Sequence, residues 1–271
     1  MPNTPAGYWQ DMTTEDFAAV DAERTVALLP LAAIEQHGPH LPVYTDACIA
    51  EGLVTEMWRH LDDDASVLVL PPVSIGASAE HRAYPGTLSV PEAALRAYLR
   101  GIGESVSASG VQKLIFLNAH GGQTHILDSV ALDLRARMGM LAVKANYFGF
   151  GVPAGVIDDE EQDHGIHGGQ IETAMMLYLR PDLVRMEAAE RFEPLSLTMT
   201  GDYRHLRPEG TVGFGWLAQD LHPAGVAGDA ARADAATGKA VVGHAGRVLA
   251  ELVAETARFP LVRLRRERPS R

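Results

Sequence analysis

Four apolar runs rich in Val, Ile and Leu punctuate the chain: TVALLPLA (25–32), VLVLPPV (67–73), KLIFLNA (113–119) and MLAVKANYF (140–148). Continuous rather than alternating hydrophobicity is the mark of strands buried on both faces. Between the runs, apolar residues recur at helical spacing over 46–61, 91–107 and 124–138. Ser89 and Pro91 supply a cap and a first-turn proline for the second of these. This β-α-β-α-β-α-β order predicts an α/β fold, a mostly parallel sheet with helices on both faces. Further helices are expected over 170–180, halted before Pro181, and over about 231–257. The Gly- and Pro-rich stretch 201–229 reads as a long irregular segment, a lid or a subunit contact. Neither a repeat nor a domain boundary interrupts the pattern, so residues 1–271 are expected to form one domain.

The polar residues gather at the ends of these runs. LPLAAIEQHGPHLPVYTD (29–46) carries an apolar run into Glu35 and His37, with Asp46 at the start of the next helix. Residues two apart on an extended strand end point to the same side, so Glu35 and His37 can grip one ligand together. Three more clusters follow: SAEHRAYPGT (78–87), NAHGGQTH (118–125) and DHGIHGGQIET (163–173). Seven of the eleven histidines (37, 40, 81, 120, 125, 164 and 167) fall within the four segments. Glu35 and His37 follow the first run and His120 the third, where open parallel sheets bind ligands.

Taken as metal ligands, Glu35, His37, Asp46, His120 and Glu172 make two imidazoles and three carboxylates. That set suits Zn, Mn or Fe and is too nitrogen-rich for calcium. Three carboxylates offset much of the charge of two divalent ions, one of them bridging, and such a pair serves hydrolysis, here of a C–N bond. Asp46 has a second reading as the cap of the helix beginning near Ala47, and Glu172 one as a helix-surface carboxylate. His40 could be held for structural reasons by its Pro–His–Leu–Pro turn, and His60, His205, His222 and His244 read as surface or structural residues.

Composition narrows the partners. A formal net charge of −12 argues against nucleic acid. No apolar run is long enough to span a membrane, and the start lacks a signal-peptide pattern, so a cytoplasmic protein is expected. The one cysteine, Cys48, leaves no disulfide framework and reads as a buried thiol. Five arginines in the tail LVRLRRERPSR (261–271) suit a solvated or subunit-contacting terminus.

The ordered motifs resemble the creatininase (creatinine amidohydrolase) family. They are Glu35–Gln36–His37–Gly38–Pro39–His40–Leu41–Pro42 with Asp46, Asn118–Ala119–His120–Gly121–Gly122–Gln123, and His167–Gly168–Gly169–Gln170–Ile171–Glu172–Thr173. Ser78–Ala79–Glu80–His81 with Pro85–Gly86–Thr87 adds to the likeness. The resemblance implies a layered α/β/α sandwich, often a hexamer, and a binuclear hydrolase with Asp46 as the bridge. It places Ser78, Glu80, His81 and Gly121 against the small-molecule substrate. His167 reads either as a proton-transfer or supporting group or as a structural histidine bonded to the backbone. Two departures bear on substrate. Creatininase has an acidic ligand where this chain has Gly122, so Glu172 is expected to supply the missing ligand and share in catalysis. It also covers creatinine with a tryptophan, whereas Asp158 to Gly165 contains no aromatic residue. A small amide, lactam or formamide other than creatinine is therefore expected, under a rim made by the acidic loop 158–163. Other branches of the family trim a modified peptide or open a cyclic ketose, and a catalytically silent assembly protein is the alternative of another class.

Overall fold

The computed structural model describes residues 6–264 other than residue 211. Five parallel strands form the sheet: β1 Gly7–Tyr8, β2 Val26–Leu31, β3 Val67–Val69, β4 Lys113–Asn118 and β5 Leu141–Asn146. They stand in the order β1-β3-β2-β4-β5, with β2 and β4 paired from Val26↔Lys113 to Leu31↔Asn118. A short helix, α1 Thr14–Ala18, precedes β2, and α2 Thr45–Met57 follows it. The helices α3 Glu92–Ala108 and α4 Thr124–Met138 make the next two crossovers. Beyond β5 come α5 Asp159–His164, α6 Gln170–Leu179, β6 Arg191–Phe192, α7 Leu195–Met199, α8 Ala218–Leu221, β7 Gly228–Asp229 and α9 Ala235–Arg258.

Side-chain alternation along the strands builds two cores. Val26, Leu28, Ile115 and Leu117 face Ile49 and Leu53 of α2, Met175 of α6, and Val242 and Leu249 of α9. Their neighbours Ala27, Leu29, Leu114 and Phe116 face Leu95 and Leu99 of α3 and Ile126, Leu127 and Leu134 of α4. The result is the expected three-layer α/β/α sandwich. Each large apolar side chain removed from water contributes roughly 1.5–3 kcal/mol, so both faces of the runs are committed to helices.

Several boundaries differ from expectation. β3 stops at Val69 because Pro71 and Pro72 lack amide donors, although Val73 N–H still donates to Pro30 O at 3.0 Å. The two-residue edge strand β1 is too short to show as a periodic run. Segment 158–163 is mostly a helix rather than a loop: Asp158 caps α5 by accepting from Glu161 N–H at 2.9 Å. α9 begins at Ala235, where Asp234 accepts from Thr237 N–H at 2.8 Å. Within 201–229 lie α8 and β7, the latter antiparallel to β6. Cys48 is buried and free. Residues 265–271 of the arginine-rich tail lie outside the described residues. Among those described, no helix is long and apolar enough to cross a membrane.

Candidate metal centre

The carboxyl ends of β2 and β4 deliver the central side chains. After β2 the chain forms a bridge from Ile34 to Leu88 and a tight loop closed by His37 and Leu41. Gly38, at φ 71°, makes the turn of that loop in a region L side chains rarely adopt. Asp46 lies in the first turn of α2 but does not cap it: the N-cap is Tyr44, with no side-chain bond. Instead Asp46 Oδ1 lies 3.1 Å from His37 Nε2, and its Oδ2 lies 3.6 Å from His120 Nδ1. One carboxylate thus spans the two imidazoles. Beyond β4, Asn118 Oδ1 accepts from His120 N–H at 3.2 Å and from Gln123 Nε2 at 2.9 Å. Asn118 Nδ2 donates to His120 O at 2.7 Å and to Asn146 Oδ1 at 2.9 Å. The Asn–Ala–His–Gly–Gly–Gln segment is therefore a loop that closes on its own side chains.

Hydrogen bonds behind the imidazoles fix which nitrogen faces the centre. His37 Nδ1–H donates to Glu35 O at 3.0 Å, which leaves Nε2 bare. His120 Nε2–H donates to Ala77 O at 3.0 Å, so Nδ1 is turned to Glu35 Oε2, 3.1 Å away. From α6, Glu172 Oε2 accepts from Gly168 N–H at 2.6 Å and lies 3.9 Å from His37 Nε2. Tyr147, just past β5, donates its hydroxyl to Glu172 Oε1 at 3.1 Å.

Despite these short approaches, Glu35 Oε2, His37 Nε2, Asp46 Oδ2 and Glu80 Oε1 are buried with no aligned hydrogen bond. Burying so many polar atoms unpaired would cost kilocalories apiece unless a cation joins them. Three ligand sets arise, each with its atoms within 4.8 Å of one another: His37, Asp46 and Glu172; Glu35, Glu80 and His120; Glu35, His37 and His167. Imidazole and carboxylate donors in these numbers fit Zn, Mn or Fe. Glu172 belongs to His37's side, because α6 packs beside α2. The expected ligand Glu172 thus falls in the set with His37 and Asp46.

The field at the site favours positive charge. Burial opposes protonation of His37, but Asp46, Glu172 and Glu35 outweigh it and raise its pKa to about 10. His120 is likewise raised to about 10 against burial, by Glu35, Asp46 and Glu80. Burial and the Glu35 charge push Asp46 up to about 7. A divalent ion competes for the lone pairs that would otherwise take those protons.

His167 lies between His37 and His81, with ring centroids 4.2 and 4.4 Å away and the planes tilted by 39° and 35°. Its Nε2–H donates to Gln36 O at 2.9 Å, leaving Nδ1 toward Glu35 Oε1 at 3.9 Å. Burial and the His37 charge lower its pKa to about 4. Gln36 Nε2 donates to His81 Nδ1 at 2.8 Å and to Gly225 O at 2.6 Å, and His81 Nε2 faces Glu35 Oε1 at 3.4 Å. Residue pattern alone does not single out Gln36 or Tyr147. Their only signal is position, Gln36 inside the Glu–Gln–His triplet and Tyr147 at a strand's carboxyl end.

The expected pocket residues separate. Ser78 is fully buried, its Oγ 3.4 Å from His120 Nε2, so it backs that imidazole instead of lining a rim. Gly121 is exposed, and a Cβ there would meet open space. His40 is buried against Thr173 Oγ1 at 2.9 Å and stays outside the ligand sets, a structural role. His125 pairs with Glu92 at the surface, and His164 bonds Ser196 Oγ at 2.9 Å. The acidic rim is a correction too: Asp158 pairs with Arg232 and Glu160 with Arg191. Glu161 is buried, accepting from Gln170 N–H at 2.6 Å and Asp229 N–H at 2.8 Å. From the irregular segment, Trp216 meets His81 edge-on with centroids 6.4 Å apart, while its Nε1–H donates to Glu209 Oε1 at 2.7 Å.

A family model described as creatinine amidohydrolase matches residues 10–253. A mycofactocin precursor peptide peptidase of Mycolicibacterium smegmatis is 32% identical over 84% of this chain and 81% of its own length. A creatinine amidohydrolase of Pseudomonas putida is 27% identical over 65% of this chain and 73% of its own. Among solved structures, a creatininase variant of zinc–zinc type superposes at TM-score 0.71 and 23% identity, over 92% of this chain and 97% of that one. A manganese creatininase superposes at 0.70 and 20%, over 92% and 97%. The chain belongs to the creatininase family.

Proposed function

We propose that the protein is a metal-dependent amidohydrolase with two divalent ions, zinc or manganese, one on the Glu35–His120 side and one on the His37–Glu172 side. Asp46 holds both. The observation that carries this reading is the set of buried, unpartnered atoms Glu35 Oε2, His37 Nε2 and Asp46 Oδ2. When bound, such a pair polarises the scissile carbonyl and makes water nucleophilic near neutral pH.

The chain's own groups do the rest. His37 and His120 present single bare nitrogens because Glu35 O and Ala77 O hold their other N–H groups. His167, neutral at pH 7 and free at Nδ1, accepts a proton as water attacks and returns it to the leaving nitrogen. The C–N bond breaks, the carbonyl carbon takes the water oxygen, and the amine leaves protonated. Gly121, exposed next to His120, and Trp216, edge-on to His81, would border the approach and set substrate shape.

The peptide peptidase likeness, higher in identity and coverage than that to creatinine amidohydrolase, favours a peptide amide over a small lactam. The test is elemental analysis joined to hydrolysis of short peptides, lactams and formamides. Expected are about two ions per chain and turnover that a chelator abolishes and zinc or manganese restores. Active protein with one ion or none would overturn the two-ion reading. Light scattering in the same preparation tests the homo-oligomer expected from the family resemblance.

A further inference from the structure

The Glu35–His120 side holds a carboxylate that this mechanism leaves unused. Glu80 belongs to the short 3-10 turn Ala79–His81 beyond β3. Its Oε1 is buried without a hydrogen-bond partner. That atom lies 3.4 Å from His120 Nε2 and 3.9 Å from His81 Nε2. Glu80 forms one ligand set with Glu35 and His120, all three atoms within 4.8 Å. The Glu35 oxygen in that neighbourhood, Oε2, is unpartnered on a side chain only 2% exposed. The two unpaired carboxylate oxygens flank one imidazole, Glu35 Oε2 at Nδ1 and Glu80 Oε1 at Nε2, and like charges buried that near one another are unfavourable unless a cation joins them.

Gly122 explains how Glu80 gets there. A Cβ built on Gly122 would collide with Glu80 Oε1 and come within 2.7 Å of both Glu80 Cδ and His120 Nε2. Gly122 is not one of the left-handed glycines, so its backbone would accept another residue. Space, not conformation, requires glycine. Any longer side chain at 122 would start from the volume that the Glu80 carboxylate fills.

We propose that Glu80 is a further protein ligand on the Glu35–His120 side, beside Glu35, His120 and the shared Asp46, and that Gly122 is the small residue whose missing side chain admits it. A carboxylate reaching in from the turn after β3 replaces one that could have been carried on the loop after β4. The inference rests on the two-ion reading above. It gives Glu80, expected against the substrate, to the metal, and leaves Glu172 as the ligand beside His37.

Titrating zinc into chelator-stripped protein by calorimetry, with elemental analysis of the dialysed product, tests the assignment. Glu80→Gln keeps the side-chain volume and removes the charge. It is expected to weaken one of two binding steps at least about tenfold, the scale on which metal sites respond to lost support, and to leave the other step unchanged. The paired variant Glu80→Gly with Gly122→Glu moves the carboxylate across the gap and is expected to regain the second ion. A structural role for Glu80 predicts no such rescue. Two ions bound with parental affinity in Glu80→Gln would overturn the assignment while leaving the two-ion reading intact. A single ion in the parent protein would overturn that reading and this proposal with it.

Discussion

Two groups of acidic residues in this protein differ both in how the sequence spaces them and in how the structure partners them. Asp158, Asp159, Glu160, Glu161 and Asp163 crowd one short stretch, while Glu35, Asp46, Glu80 and Glu172 are scattered over 138 positions. In the first cluster Arg232 meets Asp158, Arg191 meets Glu160, and two backbone amides meet Glu161. In the second, Glu35 Oε2, Asp46 Oδ2 and Glu80 Oε1 are buried and unpaired. Density of acid along a chain therefore says little about a binding site. Buried acid left without a donor says much more, because the fold tolerates it only where a ligand completes it.

The sharpest way to break the contrast is to truncate one acid from each cluster. Asp46→Ala should lose both ions, since its two oxygens face His37 and His120 separately. Lewis-acid catalysis is worth several kcal/mol, so kcat/KM should fall at least about 10³-fold. Full metal content and activity in this variant would refute the bridge. His167→Ala sharpens the contrast from within the site. It should keep both ions and lose about 10²–10⁴-fold in kcat, the usual contribution of a positioned proton-transfer group. Because His167 also shares a ligand set with Glu35 and His37, loss of metal in that variant would instead make it a ligand.

Glu161→Ala is the mirror experiment. It should leave the metal content at the parental level and lower stability. Two amides, Gln170 N–H and Asp229 N–H, would lose a charged acceptor that joins the start of α6 to β7. Hydrogen bonds to charged groups are worth about 1.5–3 kcal/mol each, which gives a loss of about 3 kcal/mol or more. At about 2–4 °C per kcal/mol for a chain near this size, calorimetry should show Tm lower by at least about 6 °C. A metal-depleted but fully stable Glu161→Ala would dissolve the distinction between the clusters.

Part of this contrast is legible in the sequence. The four strands stand out because each carries an unbroken apolar run with a helix on either side, so local pattern and tertiary role coincide. Glu35, His37 and His120 stand out because they follow apolar runs on the side where open parallel sheets bind ligands, although Glu35 and His37 lie on the loop beyond β2 and not on the strand itself. Asp46 is ambiguous from its neighbours in sequence, as a first-turn acid can serve a helix or an ion. Glu80 and Gly122 are 42 positions apart, and nothing local reveals that one fills the other's space. The parts played by Trp216 and Gln36 are hidden for the same reason: each acts through partners brought from β-α connections far along the chain. The acidic stretch 158–163 misleads because its compensating arginines, Arg191 and Arg232, lie 31 and 74 residues beyond their partners.

The smallest effect expected is one of pH, and it separates the clusters by sign. Stripped of metal, His37 and His120 have folded-state pKa values of about 10, raised above the ordinary histidine range by surrounding carboxylates. A raised histidine pKa stabilises the fold fully below the unfolded value near 6.5, and that stabilisation is lost as pH climbs toward 10. Asp46, raised to about 7 by burial and Glu35, acts in the same direction over a lower window. Chelated protein should therefore melt at progressively lower temperature from about pH 7 to 10. Asp158 works the other way: the Arg232 pair holds its pKa below the usual range, so its contribution is present above that range and fades only in acid. With ions bound, the imidazoles carry no exchangeable proton on their metal-facing nitrogens, and the alkaline decline should flatten. A thermal scan of chelated and metal-loaded protein between pH 6 and 10 checks this. Parallel curves for the two forms would mean that the buried cluster holds no ion that its histidines release.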